Sequence, residues 1–323
     1  MLVSILVPLY NSELKNVLLT LQSIINQVGL EFEIVVCDDG STQDLTKEIE
    51  DFFLDKKFLS YKFVNQKNNV GTVKNLLNAS RIAKGRYIKP LGPGDFFYDN
   101  HSLKSIASLM DSTDSKIAFG RMISYSSLSS GDYVKSGFTA PKNIAPFRNG
   151  NVQKQKANIL LYNDWISGST MCYRKDSFIN YSENIAPHVR LCEDLIQVLA
   201  LLDGNTVEFM DENFILYEYG VGVSTSGIKN PLLINDHHSF NQYIRERYRD
   251  RIPLCLRGSE QSYVNNKMFK VLRYLEKILK YPNRRIDLKE TAQNRIKDDS
   301  LENISILNET VNQYLNKTHS NHN

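Results

Sequence analysis

The chain has 323 residues, 41% of them hydrophobic and 23% charged, enough for one large domain with an appendage or for two modest domains. No run of 18 or more apolar residues occurs, which excludes a membrane-spanning helix. The four cysteines (Cys37, Cys172, Cys192, Cys255) lie far apart with no CxxC, a pattern of free core thiols rather than of a zinc site or a disulfide framework. The net charge of +3 hides an asymmetry: residues 1–225 carry 22 Lys/Arg and 25 Asp/Glu, residues 226–323 carry 17 and 11. Front and tail are therefore expected to face different partners.

The opening "MLVSILVPLYNSE" is apolar, has no basic n-region, contains Pro8 and turns polar at Asn11. It suits a buried first strand better than a signal peptide, and the expectation is a cytoplasmic protein. Strand 3–8 is followed by a helix over 16–27, whose apolar positions 17, 18, 21, 24 and 25 share one face. "FEIVVCDDGS" (32–41) predicts a strand running into an acidic turn, and "STQDLTKEIEDFF" opens on cap-type residues and continues helical. A third strand covers 60–66, a helix ended by Gly85 covers 70–85, and "RYIKPL" is a fourth strand. This alternation implies right-handed crossovers and a mostly parallel sheet. Ligands of such sheets bind beyond the carboxyl ends of the strands. The loops at 8–11, 37–41, 68–71 and 90–95 are thus the candidate site.

The middle is less regular. A strand is expected at 116–125, a long loop at 126–150, a strand and turn at 167–178, a helix at 192–204, and two short strands within 206–227. Beyond residue 230 the strand signal fades. Residues 265–285 read as a basic amphipathic helix, with Met268, Phe269, Val271, Leu272, Leu275, Ile278 and Leu279 on the apolar side and Lys267, Lys270, Arg273, Lys277 and Lys280 around it. Residues 286–323 are polar, and "NKTHSNHN" is expected to be disordered.

Taken singly, each motif has an ordinary reading. Cys37-Asp38-Asp39-Gly40-Ser41 is a turn with a helix cap, or a pair of carboxylates ready to accept from a base N–H or a ribose hydroxyl. Glu193-Asp194 is either dipole stabilisation of a helix start or a general base. Together, "VSILVPLYN", "VVCDDGSTQD", "NNVGTVKNLLNASRIAKGRYI" and the acidic turn "PLGPGD" follow one another in fixed order within 100 residues. In this the chain resembles the nucleotide-sugar half of the family-2 glycosyltransferases, which have the GT-A fold. The likeness is strong over 1–99 and weaker to about 226, through the "CED" helix and "YEYGVGVSTS".

The resemblance implies a GT-A (Rossmann-like) α/β sheet flanked by helices. Residues 1–226 would form the transferase domain, with 1–99 binding the nucleotide sugar and 100–226 the acceptor. Residues 227–323 would form a basic helical appendage. Pro8, Tyr10 and Asn11 would line the base pocket, Asp39 would meet uracil or ribose, and Lys74 would approach the diphosphate beside Asn75, which otherwise braces the turn. Asp194 would be the base that takes the acceptor proton, with Glu193 in reserve, in an inverting transfer. Trp165, the single tryptophan, would stack on an acceptor sugar or fill the core. Gly220, Gly222 and Ser224 would form a loop closing over the diphosphate.

The chain departs from the family at the acidic turn. Aligned to "LDSDD" it reads "LGPGD", so Gly92 and Gly94 stand where carboxylates are usual. The preferred reading keeps Mn²⁺ or Mg²⁺ on Asp95, with diphosphate oxygens and water completing the shell, since Mg²⁺ manages with one or two carboxylates. The alternative dispenses with metal and relies on Lys74 and backbone donors, for which Gly94 suits a tight turn.

The resemblance implies a nucleotide-diphosphate sugar donor, most naturally a UDP-sugar, a glycan or lipid-linked acceptor, and a place in bacterial surface polysaccharide synthesis. The rival is a non-catalytic nucleotide-sugar-binding or scaffold protein, against which the retained "ED" pair argues. The basic helix has two fates: contact with an anionic bilayer at the inner face of the membrane, or packing on the catalytic domain or a second subunit of a homodimer. Nucleic acid is not expected, because the basic residues are not interleaved with stacking aromatics on a sheet.

Overall fold

A computed structural model describes residues 2–128, 133–222, 227, 229–258, 267–293 and 301–320. Strands β1 (Leu2–Leu9), β2 (Glu31–Asp38), β3 (Tyr61–Asn65) and β4 (Tyr87–Pro90) alternate with helices α1 (Leu14–Ile25), α2 (Thr46–Asp55) and α3 (Thr72–Ile82). They pair in parallel in the order β3-β2-β1-β4. The sheet then becomes mixed. β8 (Met171–Arg174) runs antiparallel to both β4 and β6 (Ile117–Ser127), β9 (Glu208–Glu218) is parallel to β6, and β5 (Phe96–Phe97) closes the edge antiparallel to β9. The short β7 (Tyr133–Lys135) pairs with the far end of β6.

β1 is apolar but for Ser4, whose hydroxyl donates to Glu33 at 2.7 Å, because both its faces are covered. Val3, Ile5 and Val7 enter one core with α1, α2 and α4 (Ser102–Thr113). Leu6 enters the other, with α3, α7 (Lys175–Ile185), α8 (Ile196–Leu202) and α9 (Pro231–Arg247). The strand β7 and a short helix, α5 (Ala145–Arg148), break up the region 126–150 expected to be a long loop, and a second short helix, α6 (Val152–Lys156), follows it. All four cysteines are buried and free.

Three expectations are corrected. Residues 208–218 form one strand, not two: Asp211 and Glu212 lie in a bulge where the register against β6 shifts, and Arg121 and Arg148 pair with Asp211 there. The basic helix α10 (Lys267–Lys280) ends sooner than expected, at the buried Tyr281, before Pro282, and a separate α11 (Arg284–Gln293) follows. Positions 265 and 266 lie outside the described residues. The polar end is not a disordered tail up to Ser320: α12 (Leu301–Ser320) lies on α1 and buries Ile304, Leu307, Val311 and Tyr314. Tyr314 meets the ring of Phe52 edge-on at 5.0 Å.

Candidate active site

The four candidate loops gather at the carboxyl edge of the parallel strands, and side chains stitch them together. Asn11 takes a left-handed conformation (φ 49°) that asparagine tolerates. Its amide donates to Ser41 Oγ at 2.8 Å, and its Oδ1 accepts from the Thr42 amide at 2.9 Å. Asp38 closes its own turn by accepting from the amide and hydroxyl of Ser41. Asp39, 4% exposed, reaches the third loop: its two oxygens accept from the amides of Val70 (2.7 Å) and Gly71 (2.9 Å). Burial holds its pKa above the ordinary value, against the pull of those amides and of nearby Arg190. Asn75 donates to the Cys37 carbonyl at 2.8 Å and so braces α3 against β2. Tyr10, 53% exposed, and Lys74, on the first turn of α3, project from this framework. Pro8 is half-buried beneath them.

The turn at 90–95 is held from three sides. Thr20 of α1 accepts from the Gly94 amide at 3.0 Å and donates to the Asp95 carbonyl at 3.1 Å. The Tyr125 hydroxyl donates to the Gly94 carbonyl. Asp95 Oδ1 accepts from the Glu218 amide at 3.2 Å. Gly94 has φ 93°, and a Cβ there would lie 2.3 Å from Glu218 Oε2. Glycine is therefore required twice over, by backbone sign and by the carboxylate that fills the space. Where the family turn carries a second carboxylate in sequence, this chain brings one in from the end of β9.

Beneath the turn lies Lys89, fully buried. Its ammonium donates to the carbonyls of Pro90 (2.6 Å) and Ser169. Burial pushes it down to about 8, opposed by the charges of Cys172, Asp95 and Glu193. Asp95 is pushed up to about 7, chiefly by burial; the Glu218 amide, Lys89 and the Ser169 hydroxyl pull it down, and the charge of Glu218 pushes it up. The charges of Asp95 and Glu193 both reach Lys89, and Glu193 opens the third element, the Glu193–Leu195 turn that leads into α8. Glu193 Oε1 fills the space beside Gly168, where a Cβ would approach within 2.6 Å. Burial raises both carboxyls, and the Asp194 charge raises Glu193 further. Asp194 accepts from the Leu195 amide, and Gln197 Nε2 donates to its carbonyl at 2.9 Å.

The arrangement offers buried carboxylates, an internal cation and an exposed aromatic at a parallel-sheet edge. Residues 4–181, more than half of the chain, match the profile described as Glycosyl transferase family 2. The chain belongs to glycosyl transferase family 2. A chondroitin synthase of Escherichia coli is 34% identical over 96 residues, 29% of this chain and 13% of that protein. An uncharacterized glycosyltransferase of Rickettsia bellii is 30% identical over 99 residues, 30% of this chain and 14% of that one. The chain thus spans only a small part of the curated relatives it matches. Among solved structures, S. aureus TarS 1–349 in complex with UDP-GlcNAc superposes with a TM-score of 0.54 at 19% identity, covering 97% of this chain and 92% of that one. The mannosyltransferase PcManGT of Pyrobaculum calidifontis, in complex with GDP-Man and Mn²⁺, superposes at 0.53 with 12% identity, covering 96% and 84%. At such identities these structures establish the GT-A fold.

In this family-2 transferase the expected residues fall into two sets. Pro8, Tyr10, Asn11, Asp39, Lys74 and Asn75 gather around the first three loops; Gly94, Asp95, Glu193 and Asp194 gather around Lys89. Trp165 belongs to neither. It is half-buried, meets His237 edge-on with ring centroids 6.1 Å apart, and lines a cavity of about 540 Å³. Ser224 lies outside the described residues, while Gly220 and Gly222 follow directly from β9. Sequence reasoning passed over Lys89, Ser169, Glu218 and Arg190. A lysine inside the buried strand "YIKP" was the one legible signal among them. Arg190 donates to the Asn69 carbonyl and side chain at 2.9 and 2.6 Å, fixing the loop that Asp39 also holds.

Proposed function

We propose that the chain is an inverting transferase that moves a sugar from a nucleotide-diphosphate sugar, most naturally a UDP-sugar, to a hydroxyl of a glycan, glycolipid or glycoprotein acceptor in bacterial surface polysaccharide or glycoconjugate synthesis. One observation carries the reading: Lys89, the one buried cation among the described residues, lies within electrostatic reach of both Asp95 and Glu193, the neighbour of Asp194. Similar chains hold UDP-GlcNAc and GDP-Man, which supports the donor class.

In the transfer, an acceptor oxygen attacks the anomeric carbon as the bond from that carbon to the diphosphate breaks. The electron pair leaves with the nucleoside diphosphate, and the acceptor proton passes to the Asp194 carboxylate. The raised pKa of Asp194 suits it to accept a proton near neutrality. Asn11 and Asp39 hold the base and ribose loops in place, and Tyr10 offers a face to the base. Lys74 faces the diphosphate from the α3 start.

A divalent cation fits the donor set. Asp95 and Glu218 converge at Gly94, both raised by burial, and Glu218 repels Asp95. Among the described residues no third His, Cys, Asp or Glu joins them, so diphosphate oxygens and water would supply the remaining ligands. Asp95 and Glu218 would hold the ion, which when bound offsets charge on the leaving diphosphate.

The apolar side of α10 is largely uncovered: Met268, Val271, Tyr274, Leu275, Ile278 and Leu279 are all exposed. Its inward side uses Glu276, which accepts from the Leu254 and Cys255 amides at 2.8 Å, and Arg273, which donates to the Leu161 carbonyl. This supports an anionic bilayer rather than the body as the partner of the exposed face, and with it a location at the inner face of the membrane. A second subunit is the competing occupant.

The test is nucleoside diphosphate release from a panel of UDP- and GDP-sugars, with Mn²⁺ and with EDTA, for wild type, Asp95→Asn and Asp194→Asn. Release from one sugar that falls in Asp194→Asn supports the reading. Turnover unchanged by Asp194→Asn removes the assigned base.

A further inference from the structure

The cavity beside Trp165 is separate from the donor loops, yet it is tied to the catalytic turn through both its walls. On one wall, Ile166, next to Trp165, exchanges two hydrogen bonds of 3.0 Å with Gln197, and Gln197 also donates to the Asp194 carbonyl. On the other, Asp236, next to His237, accepts from the amides of Arg190, Leu191 and Cys192, the three residues before Glu193. Helix α10 closes the third side with Lys270 and Arg273.

The lining has one electrostatic sign. Arg245, Lys270 and Arg273 contribute three cations, Trp165, Phe240 and Phe269 contribute aromatic surface, and no carboxylate among the described residues lines the cavity. Arg273 is spent in part on the Leu161 carbonyl and Asn163. Arg245 and Lys270 have no hydrogen-bond partner among the described residues. Cations gathered around one cavity repel one another, and an anion bound among them relieves that repulsion. An aromatic face beside them suits the apolar side of a sugar ring.

The geometry points to this cavity as the site for an anionic acceptor: a glycan segment bearing a phosphate or carboxylate, its sugar ring against Trp165 and its charge on Arg245 and Lys270. The inference rests on the transferase reading above and names the acceptor class. The hydrogen bonds of Gln197 and Asp236 tie the walls of this cavity to the turn that carries the proposed base.

Trp165 is the only tryptophan of the chain, so its fluorescence reports this cavity alone. With the donor site saturated by UDP, the full-length protein is titrated with glucose 1-phosphate, glucuronate and glucose. A saturable change with one or both anions, at least tenfold weaker with glucose, is expected, and the two anions separate phosphate from carboxylate recognition. Arg245→Ala with Lys270→Ala should weaken the anion at least tenfold and leave UDP affinity, measured by calorimetry, unchanged. Equal binding of glucose, or no saturable response to any probe in protein that is folded and binds UDP, overturns the assignment. Anion binding without UDP binding would remove the donor reading and leave the anionic site standing.

Discussion

At the scale of single residues, the proposed site sets carboxylates within electrostatic reach of Lys89, the one buried cation among the described residues. Asp194→Asn removes the proton acceptor while keeping its shape. Turnover should fall by about 10²- to 10⁴-fold, with UDP affinity within a factor of two, as measured by steady-state kinetics and calorimetry. Because burial raises Glu193 and Asp194 together, the acidic limb of the rate profile should lie above the ordinary carboxylate range and belong to the pair. The sign of the stability effect follows for Asp95. Its folded value is about 7, against about 3.9 in an unfolded chain. Between those values the folded state holds the proton more tightly, so stability falls as pH rises from about 4 to 7. In Asp95→Asn, urea denaturation across that window should show a shallower decline; an unchanged slope would mean that Asp95 is not the buried acid.

Elements differ in how far the sequence discloses them. β1 to β4 and α1 to α3 were readable because each carries one period, with turn residues between, and the donor loops follow from that order. β9 read as two strands because Asp211 and Glu212 look like a turn, whereas they are a bulge whose carboxylate pairs with Arg121 and Arg148. Glu218 could not be assigned, since only the pairing of β5 with β9 brings it to Gly94. α12 was hidden by polarity, although Ile304, Leu307, Val311 and Tyr314 recur at helical spacing on its buried face. Ile304→Ala should cost about 2–5 kcal/mol in urea unfolding, and Ile306→Ala, on the exposed side, should stay within about 0.5 kcal/mol. For α10, the double change Val271→Glu and Leu279→Glu should abolish cosedimentation with vesicles rich in anionic lipid. Wild-type binding should weaken with added salt, because lysines share the exposed face. Salt-independent dimerisation lost in the same variant would favour the second subunit.

At the scale of the whole molecule, the parallel half of the sheet supplies the donor loops and the mixed half supplies Glu218 and the Glu193–Asp194 turn. Asp95 joins them, since it belongs to the exit of β4 and accepts from the amide of the last residue of β9. A ligand that needs both halves binds only the native arrangement and stabilises it by mass action, about 2.7 kcal/mol at one hundred times its Kd. In a chain of this size, with an unfolding entropy of about 2.1 cal/mol/K per residue, that corresponds to a rise in Tm of about 4 °C. UDP with Mn²⁺ should therefore raise Tm more than UDP with EDTA, because the ion would add contacts to Asp95 and Glu218 from opposite halves. Glu218→Gln and Asp95→Asn should each remove the Mn²⁺-dependent part and keep the part due to UDP alone, whose contacts lie on the parallel side. Equal shifts with Mn²⁺ and EDTA in the wild type would assign the diphosphate charge to Lys74 and backbone donors instead, and the glycines at 92 and 94 would then mark a turn that has dispensed with metal.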